Sequence, residues 1–329
     1  MKRIKIGVLG VSNHFIKRII LPLKALNCFE VYAIASRSEN KASETAREYG
    51  IAKTFGSYQQ LLDDASIEAV YIPLPNHMHA QWIKKAAFAG KHVLCEKPMC
   101  MDANEAIEVV EHCQRCNVVL MEAFMYKYHP QWIMVRDIIR TNNIGSISYI
   151  NTSFSYNNPS AQNIRNIKEY GGGGLRDIGC YAISVARFLL GKEPKQVISL
   201  MEEHPEFKTD MLSSGILDFG KARTTFNVAT CANAFQKVDV VGTAGRITVD
   251  IPFNTYTDVP AKFVVDSAIG TRQVTVEAHD QYGLMFEEFA KLIGKNETIS
   301  SVDDDAILNQ KVIDAVLRSS ATKVWEPVG

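Results

Sequence analysis

Glu96, Lys97 and Pro98 close a short apolar run about a third of the way along the chain. A lysine at the C-terminal end of a strand can set its ammonium beside a reacting oxygen, stabilise negative charge developing there and donate a proton. Pro98 would fix the turn that follows. Farther on, Asp177 and Tyr181 stand four residues apart, which on a helix puts both on one face. A phenol within reach of a substrate oxygen can pass a proton, and a neighbouring ammonium lowers its pKa. The residues leave open whether Lys97 or Tyr181 is the immediate proton donor. The plainer alternatives are a surface lysine before a turn proline, a core tyrosine and a helix-start aspartate.

A second group of residues suits a dinucleotide. Gly7-Val8-Leu9-Gly10-Val11-Ser12-Asn13-His14-Phe15 falls on the first strand-to-helix turn. Such a turn needs a glycine and helix-end N–H groups facing the pyrophosphate. Gly10 can be that glycine, but Ser12 and Phe15 occupy the later glycine positions, so the motif is incomplete. Gly10, Ser12, Asn13, His14 and Phe15 are the expected contacts. After the second strand comes Ala35-Ser36-Arg37-Ser38. Sites that prefer NAD place a carboxylate there for the ribose 2′-hydroxyl, whereas here Ser36 and Arg37 suit a 2′-phosphate. The expected cofactor is therefore NADP rather than NAD. A solvated turn arginine is the competing reading of Arg37.

The elements that must carry these residues follow from periodicity. Strands are expected at Ile4–Leu9, Val31–Ala35, Ala69–Ile72, His92–Cys95 and Val118–Met121. Helices are expected between them, at Phe15–Leu26, Asn40–Tyr49, His79–Ala89 and Asn104–Cys116. Short apolar strands alternating with helices imply a doubly wound parallel sheet. After Phe124 a helix at Trp132–Arg140 leads to a strand at Ser148–Ser155, and a glycine run opens a helix at Leu175–Leu190. Alternating segments follow at Gln196–Glu202, Met211–Phe219, Ala222–Thr230, Lys237–Gly242, Arg246–Asp250, Lys262–Asp266 and Arg272–Glu277. Without helices between them they predict a large, mostly antiparallel open sheet in an α+β domain. Helices at Gln281–Ile293 and Asp303–Ala321 end the chain, and Asp303, Asp304 and Asp305 suit a helix start. The expected division is a Rossmann domain over 1–123 and a substrate-binding and dimerisation domain over 124–329, with the active site in the cleft between them.

Composition bounds the partners. Thirty-six basic and 36 acidic residues balance, which argues against nucleic acid as the main partner. No apolar run approaches the roughly 18 residues of a membrane span. The basic start at Met1-Lys2-Arg3 and its short apolar run break at glycine, unlike a signal peptide. Seven scattered cysteines fit a reducing compartment, so a cytoplasmic protein is expected. Cys113 and Cys116 form a lone CxxC within a helical pattern, so no metal site is expected.

Several stretches taken together resemble one family. They are Pro75-Asn76-His77-Met78-His79, Gly90-Lys91-His92-Val93-Leu94-Cys95-Glu96-Lys97-Pro98, Gly172-Gly173-Gly174-Leu175-Arg176-Asp177-Ile178-Gly179-Cys180-Tyr181 and Arg187-Phe188-Leu189-Leu190-Gly191. The chain resembles the glucose-fructose oxidoreductase, inositol dehydrogenase and rhizopine-catabolism (Gfo/Idh/MocA) oxidoreductases. The resemblance implies that Lys97 lies beside the nicotinamide and that the bond before Pro98 is cis. It implies Leu74, Asn76 and His79 along the cofactor path, and Glu96 and Glu122 near the cofactor. Arg165, seven residues before Gly172, would contact cofactor or substrate; His77, His129, His279 and Tyr282 are weaker candidates. Many members carry histidine where Tyr181 stands.

Within the family, Ala35-Ser36-Arg37, Val70-Tyr71-Ile72-Pro73-Leu74-Pro75 and Asn163-Ile164-Arg165 look most like sugar-nucleotide 3-ketoreductases. These use NADPH to reduce a 3-keto group on a dTDP-linked deoxysugar. The resemblance implies a carbohydrate or nucleotide-sugar substrate and a homodimer or homotetramer. Dehydrogenases of free sugars, cyclitols or trans-dihydrodiols are the alternative. A non-catalytic NADP sensor is a reading of another class, and Lys97, Asp177 and Tyr181 speak against it.

Overall fold

The strongly apolar runs near the N-terminus become the middle of a six-stranded parallel sheet. In the computed structural model, which describes residues 3–295 and 300–329, the first strands are β1 (Ile4–Leu9), β2 (Phe29–Ala35), β3 (Lys53–Phe55), β4 (Ala69–Ile72), β5 (His92–Cys95) and β6 (Leu120–Glu122). Their order is β3-β2-β1-β4-β5-β6, and each pairing is parallel. This is the doubly wound arrangement, with its switch point between β1 and β4. All four residues of β4 are buried, as a strand covered on both faces requires. Met1, Lys2 and the side chain of Asp303 lie outside the described residues.

The connecting helices are α1 (Ile20–Ala25), α2 (Glu39–Tyr49), α3 (Tyr58–Asp63), α4 (His79–Phe88) and α5 (Ala103–Arg115). In α5, Ala106, Val109, Val110 and Cys113 are buried at helical spacing, so one stripe faces the sheet. Asp102 caps it by accepting from the Glu105 N–H at 2.9 Å, and Glu105 reaches back to the Met101 N–H at 2.8 Å. Cys113 lies in this core, and Cys116 caps the helix, half-buried. One strand of this sheet and one of these α-helices have no counterpart among the expected elements. Strand β3 has three residues and helix α3 six, both too short for a periodic signal. The predicted helix over Phe15–Leu26 also differs in detail, because it opens with a wide π turn at Phe15–Ile19. Pro22 has no N–H to offer the Arg18 carbonyl, and the wide turn stands directly before it.

The chain divides into two compact units, one of Met1–Met125 with Gln281–Ile307 and one of Tyr126–Asp280 with Leu308–Gly329. The helix Gln281–Lys295 thus groups with the first sheet, where Phe286 and Phe289 pack on Phe29 of β2 at ring distances of 5.9 and 6.0 Å.

In the second unit, helix α6 (Pro130–Arg140) precedes β7 (Ile147–Asn157), and α7 (Cys180–Leu190) precedes a run of strands. These are β8 (Gln196–Glu203), β9 (Asp210–Asp218), β10 (Arg223–Ala229), β11 (Cys231–Gly242), β12 (Gly245–Val249), β13 (Ala261–Ser267) and β14 (Gly270–Val276), with a short β15 (Glu326–Pro327) at the end. Nine strands form one sheet in the order β14-β13-β12-β11-β7-β10-β9-β8-β15, antiparallel except for β7 and β10. Along β7, Ile150, Thr152 and Phe154 face a core while Tyr149 and Asn151 are exposed. The exposed face is laced by polar pairs, among them Thr225 to Asn151 at 2.6 Å and Ser214 to Asn227 at 2.7 Å. No helix among the described residues is long and apolar enough to cross a membrane.

Candidate active site

The candidate residues of the first unit gather at the C-terminal edge of its sheet. Gly10 follows β1, Ser36 and Arg37 follow β2, Leu74 and Asn76 follow β4, Glu96 and Lys97 follow β5, and Glu122 ends β6. Ligands of open parallel sheets bind at that edge.

At the first turn, Gly10 adopts φ +119°, and a Cβ there would lie 3.1 Å from Leu74 Cδ2. The positive φ demands glycine, and a side chain there would also press on the Leu74 tip. The Gly10 N–H donates to the Ala35 carbonyl at 2.9 Å, and Ser12 then starts the helix: its carbonyl accepts from Ile16 N–H at 3.1 Å and its hydroxyl from Phe15 N–H at 3.0 Å. A glycine turn leading into a helix start fits a dinucleotide pyrophosphate. Asn13 is exposed and His14 half-buried. Phe15 departs from the expected ligand contact. Its side chain is fully buried beside the Tyr71 ring, and its N–H is engaged by Ser12. The physical reason is the helix's inward stripe, which takes the residue that the glycine pattern would have left bare.

Ser36 is buried, and its hydroxyl accepts from the Ser38 N–H at 3.2 Å. Arg37 is exposed and interacts with the Tyr58 hydroxyl, which stands 3.8 Å from the Cβ position of Gly10. Burial raises the Tyr58 pKa and Arg37 opposes the rise. No carboxylate occupies Ala35-Ser36-Arg37-Ser38, so the residues fit a cofactor with a 2′-phosphate.

Lys97 sits on a loop tied down on both sides. The Lys97–Pro98 bond is cis. On one side, fully buried His79 places Nδ1 2.9 Å from the Pro98 carbonyl and Nε2 2.8 Å from the Leu74 carbonyl. Burial lowers the His79 pKa, which favours a neutral ring donating through one nitrogen at a time. On the other side, the Glu122 Oε1 accepts from the Met99 N–H at 2.8 Å. His79 and Glu122, both expected near the cofactor, therefore hold the lysine's loop. Asn76 is half-buried and His77 exposed on the neighbouring turn.

Glu96 is anchored by its own partners. Tyr71 donates its hydroxyl to Oε1 at 2.7 Å, and His14 Nε2 stands 3.5 Å away. Burial alone would raise the Glu96 pKa. His14, Lys97 and Tyr71 outweigh it and hold the carboxyl at about 2. Tyr282 packs edge-on to His14 with ring centroids 5.6 Å apart.

In the second unit, Asp177 lies in a π turn, Leu175–Gly179, that opens into α7. Tyr156 donates to its Oδ2 at 2.7 Å, and the Arg165 Nε pairs with its Oδ1 at 2.9 Å. Asp177 and Arg165, expected separately from the sequence, are thus partners. Tyr181 is buried in an aromatic cluster, 5.1 Å from the Phe253 ring and 6.0 Å from those of Phe154 and Tyr126. His129 and His279 meet edge to face at 6.1 Å. His129 Nδ1 accepts from the Gln131 N–H and so caps α6, the structural role that a lone histidine takes by default. Burial and then His279 push its pKa down to about 4.

Three residues with supporting contacts were missed: Tyr71, Tyr156 and Asp210. Buried Asp210 accepts from the Leu175 N–H at 2.6 Å and from the Ser213 hydroxyl at 2.7 Å, holding the start of the Asp177 turn. Gly173 has φ +118°, and a Cβ there would overlap the Asp210 carboxylate. The clue was present: a glycine run leaves N–H groups that need an acceptor. Among the described residues, no cluster of three or more metal-ligating side chains occurs.

Comparison with known proteins bears on this geometry. Residues 4–124 match the model of an oxidoreductase family with an NAD-binding Rossmann fold, and residues 132–248 match the GFO/IDH/MocA C-terminal domain. Similar curated proteins include D-xylose 1-dehydrogenase (NADP(+)) 2 of Haloferax volcanii, 34% identical over 96% of this chain and 97% of the relative. A dTDP-3,4-didehydro-2,6-dideoxy-alpha-D-glucose 3-reductase of Streptomyces violaceoruber is 30% identical over 97% and 96%. Among solved structures, KijD10, a 3-ketoreductase of Actinomadura kijaniata in complex with NADP and TDP-benzene, superposes with a TM-score of 0.92 at 28% identity, covering 97% of this chain and 98% of that one. With both family domains matched in order and the turn, sheet order and lysine loop in place, the chain belongs to the Gfo/Idh/MocA family and is an oxidoreductase.

Proposed function

We propose that this oxidoreductase transfers hydride between NADP(H) and the carbinol or carbonyl carbon of a sugar. The observation that carries the reading is the clamped loop that fixes Lys97 at the sheet edge. NADP(H) supplies or accepts the hydride. Gly10 and the helix start at Ser12 would receive its pyrophosphate, and Ser36 and Arg37 its 2′-phosphate. In the reductive direction oxygen gains negative charge as carbon gains hydride, and the Lys97 ammonium stabilises that charge. Lys97 or Tyr181 then gives oxygen the proton, and the Asp177 carboxylate takes part in turnover.

Two substrate classes are favoured by particular likenesses. The D-xylose dehydrogenase of Haloferax volcanii supports a free sugar, and the 3-ketoreductase of Actinomadura kijaniata supports a nucleotide-linked keto-sugar. A panel of free aldoses, cyclitols, trans-dihydrodiols and dTDP-linked keto-sugars, followed by absorbance of NADPH, tests the reading. Turnover faster with NADP(H) than with NAD(H) is expected. Tight NADP binding without turnover on the panel would favour a sensor. A melting shift with dTDP supports the nucleotide-linked class, and its absence supports the free sugar. Assembly into a homodimer or homotetramer through the exposed face of the nine-stranded sheet completes the proposal, with solution mass as its check.

A further inference from the structure

Tyr156 stands near the end of β7, in register with Ile150, Thr152 and Phe154 on the strand's inner face. Packing there does not need a hydroxyl, since phenylalanine serves two residues earlier. The Tyr156 hydroxyl instead donates to Asp177 Oδ2 at 2.7 Å. The other carboxylate oxygen, Oδ1, is taken by the Arg165 Nε at 2.9 Å. A strand and a loop thus grip one carboxylate from two directions, which fixes both of its side-chain torsions. The loop itself is stitched in place. The Arg165 N–H donates to the Asn163 side chain at 3.1 Å, the Arg165 carbonyl accepts from the Gly173 N–H at 2.8 Å, and the Asn166 amide donates to the Asn158 and Ser160 carbonyls, each at 2.9 Å.

We propose that Tyr156 is a positioning residue that, with Arg165, holds the Asp177 carboxylate in the orientation the reaction uses. The inference rests on the functional reading above, in which Asp177 takes part in turnover. Burial, followed by the Asp177 carboxylate itself, raises the Tyr156 pKa, so the phenol keeps its proton and stays a donor. A hydroxyl-to-carboxylate bond is charge-assisted and strongly directional. Without it, Oδ2 loses the donor that sets the turn of the carboxylate about the Cβ–Cγ bond.

The test is a double-mutant cycle with Tyr156→Phe, Asp177→Asn and the pair, assayed with NADP(H) and whichever panel sugar the wild-type protein turns over. Tyr156→Phe is expected to lower kcat/KM about ten-fold, through kcat rather than the KM for NADPH. The double variant should be no slower than Asp177→Asn alone, because Tyr156 then has no carboxylate to hold. A purely packing role would instead give losses that multiply. Full activity in Tyr156→Phe, or multiplying losses, overturns the inference while leaving the functional reading intact. Wild-type turnover in Asp177→Asn removes Asp177 from the functional reading and overturns this inference, whereas no turnover by the wild-type protein refutes the functional reading as a whole. Should Tyr156→Phe fold poorly, Tyr156→3-fluorotyrosine keeps the shape and the donor. Activity within about two-fold of wild type is then expected, and a loss as large as that in Asp177→Asn would overturn the proposal.

Discussion

Tyr71→Phe isolates one hydrogen bond in a buried charge cluster and has a calculable signature. The ring packs against Phe15 at 6.1 Å and Phe286 at 5.5 Å, contacts that phenylalanine retains. Only the hydroxyl that donates to Glu96 at 2.7 Å is lost. A hydrogen bond to a charged group contributes about 1.5–3 kcal/mol. The Glu96 carboxyl is held at about 2 against an ordinary value of 4.5. At about 1.36 kcal/mol per pH unit, that difference corresponds to about 3 kcal/mol of stability. Because the folded pKa is depressed, this stability is fully present above pH 4.5 and is lost as pH falls from 4.5 towards 2. Tyr71→Phe should therefore cost about 1.5–3 kcal/mol at pH 7. It should also flatten the acid slope, since Glu96 then has less to lose on protonation. Urea unfolding at pH 7, 5, 4 and 3 reads both quantities. Equal stability at pH 7, or parallel pH profiles for the two proteins, would show that the Tyr71 hydroxyl does not stabilise the Glu96 carboxylate.

Other outcomes follow from the same contacts. Arg37→Asp should weaken NADPH by about ten- to a hundred-fold with little effect on NADH, as judged by the two KM values. Gly10→Ala, at φ +119° with Leu74 Cδ2 3.1 Å from the new Cβ, should destabilise by about 1–3 kcal/mol in chemical denaturation and weaken NADPH binding. His129 is held neutral with its pKa pushed down from 6.5 to about 4, so stability should fall as pH drops from 6.5 to 4. His129→Asn keeps an acceptor for the Gln131 N–H and should flatten that decline when melting temperature is followed against pH.

The sequence was legible where the physics is local. Strands β1, β4 and β5 matched their expected limits because parallel strands buried on both faces read as unbroken apolar runs. Strand β11 was read from Lys237, but it begins at Cys231, where exposed residues and a register shift hide the alternation. Among the candidate residues, Lys97, Asp177 and the Gly10 turn stand out by residue type and position. Their supports do not. His79 reaches Pro98 across 19 residues, Glu122 reaches Met99 across 23, and Tyr156 reaches Asp177 across 21. Such bonds depend on how strands are ordered in the sheet, and no periodicity records that order. Tyr71 lies in a family-like stretch, yet nothing local distinguishes a tyrosine that packs from one that also donates to Glu96.

We propose Lys97, fixed by its clamped loop, as the residue that carries hydride-transfer chemistry on a sugar. This role is tested by single-turnover oxidation of NADPH by the panel sugar that the wild-type protein reduces, in wild-type and Lys97→Ala protein at saturating cofactor, with NADPH affinity measured in parallel. A rate loss of about a hundred-fold or more is expected in Lys97→Ala, with NADPH still bound. A Lys97→Ala protein that turns over at the wild-type rate would contradict it.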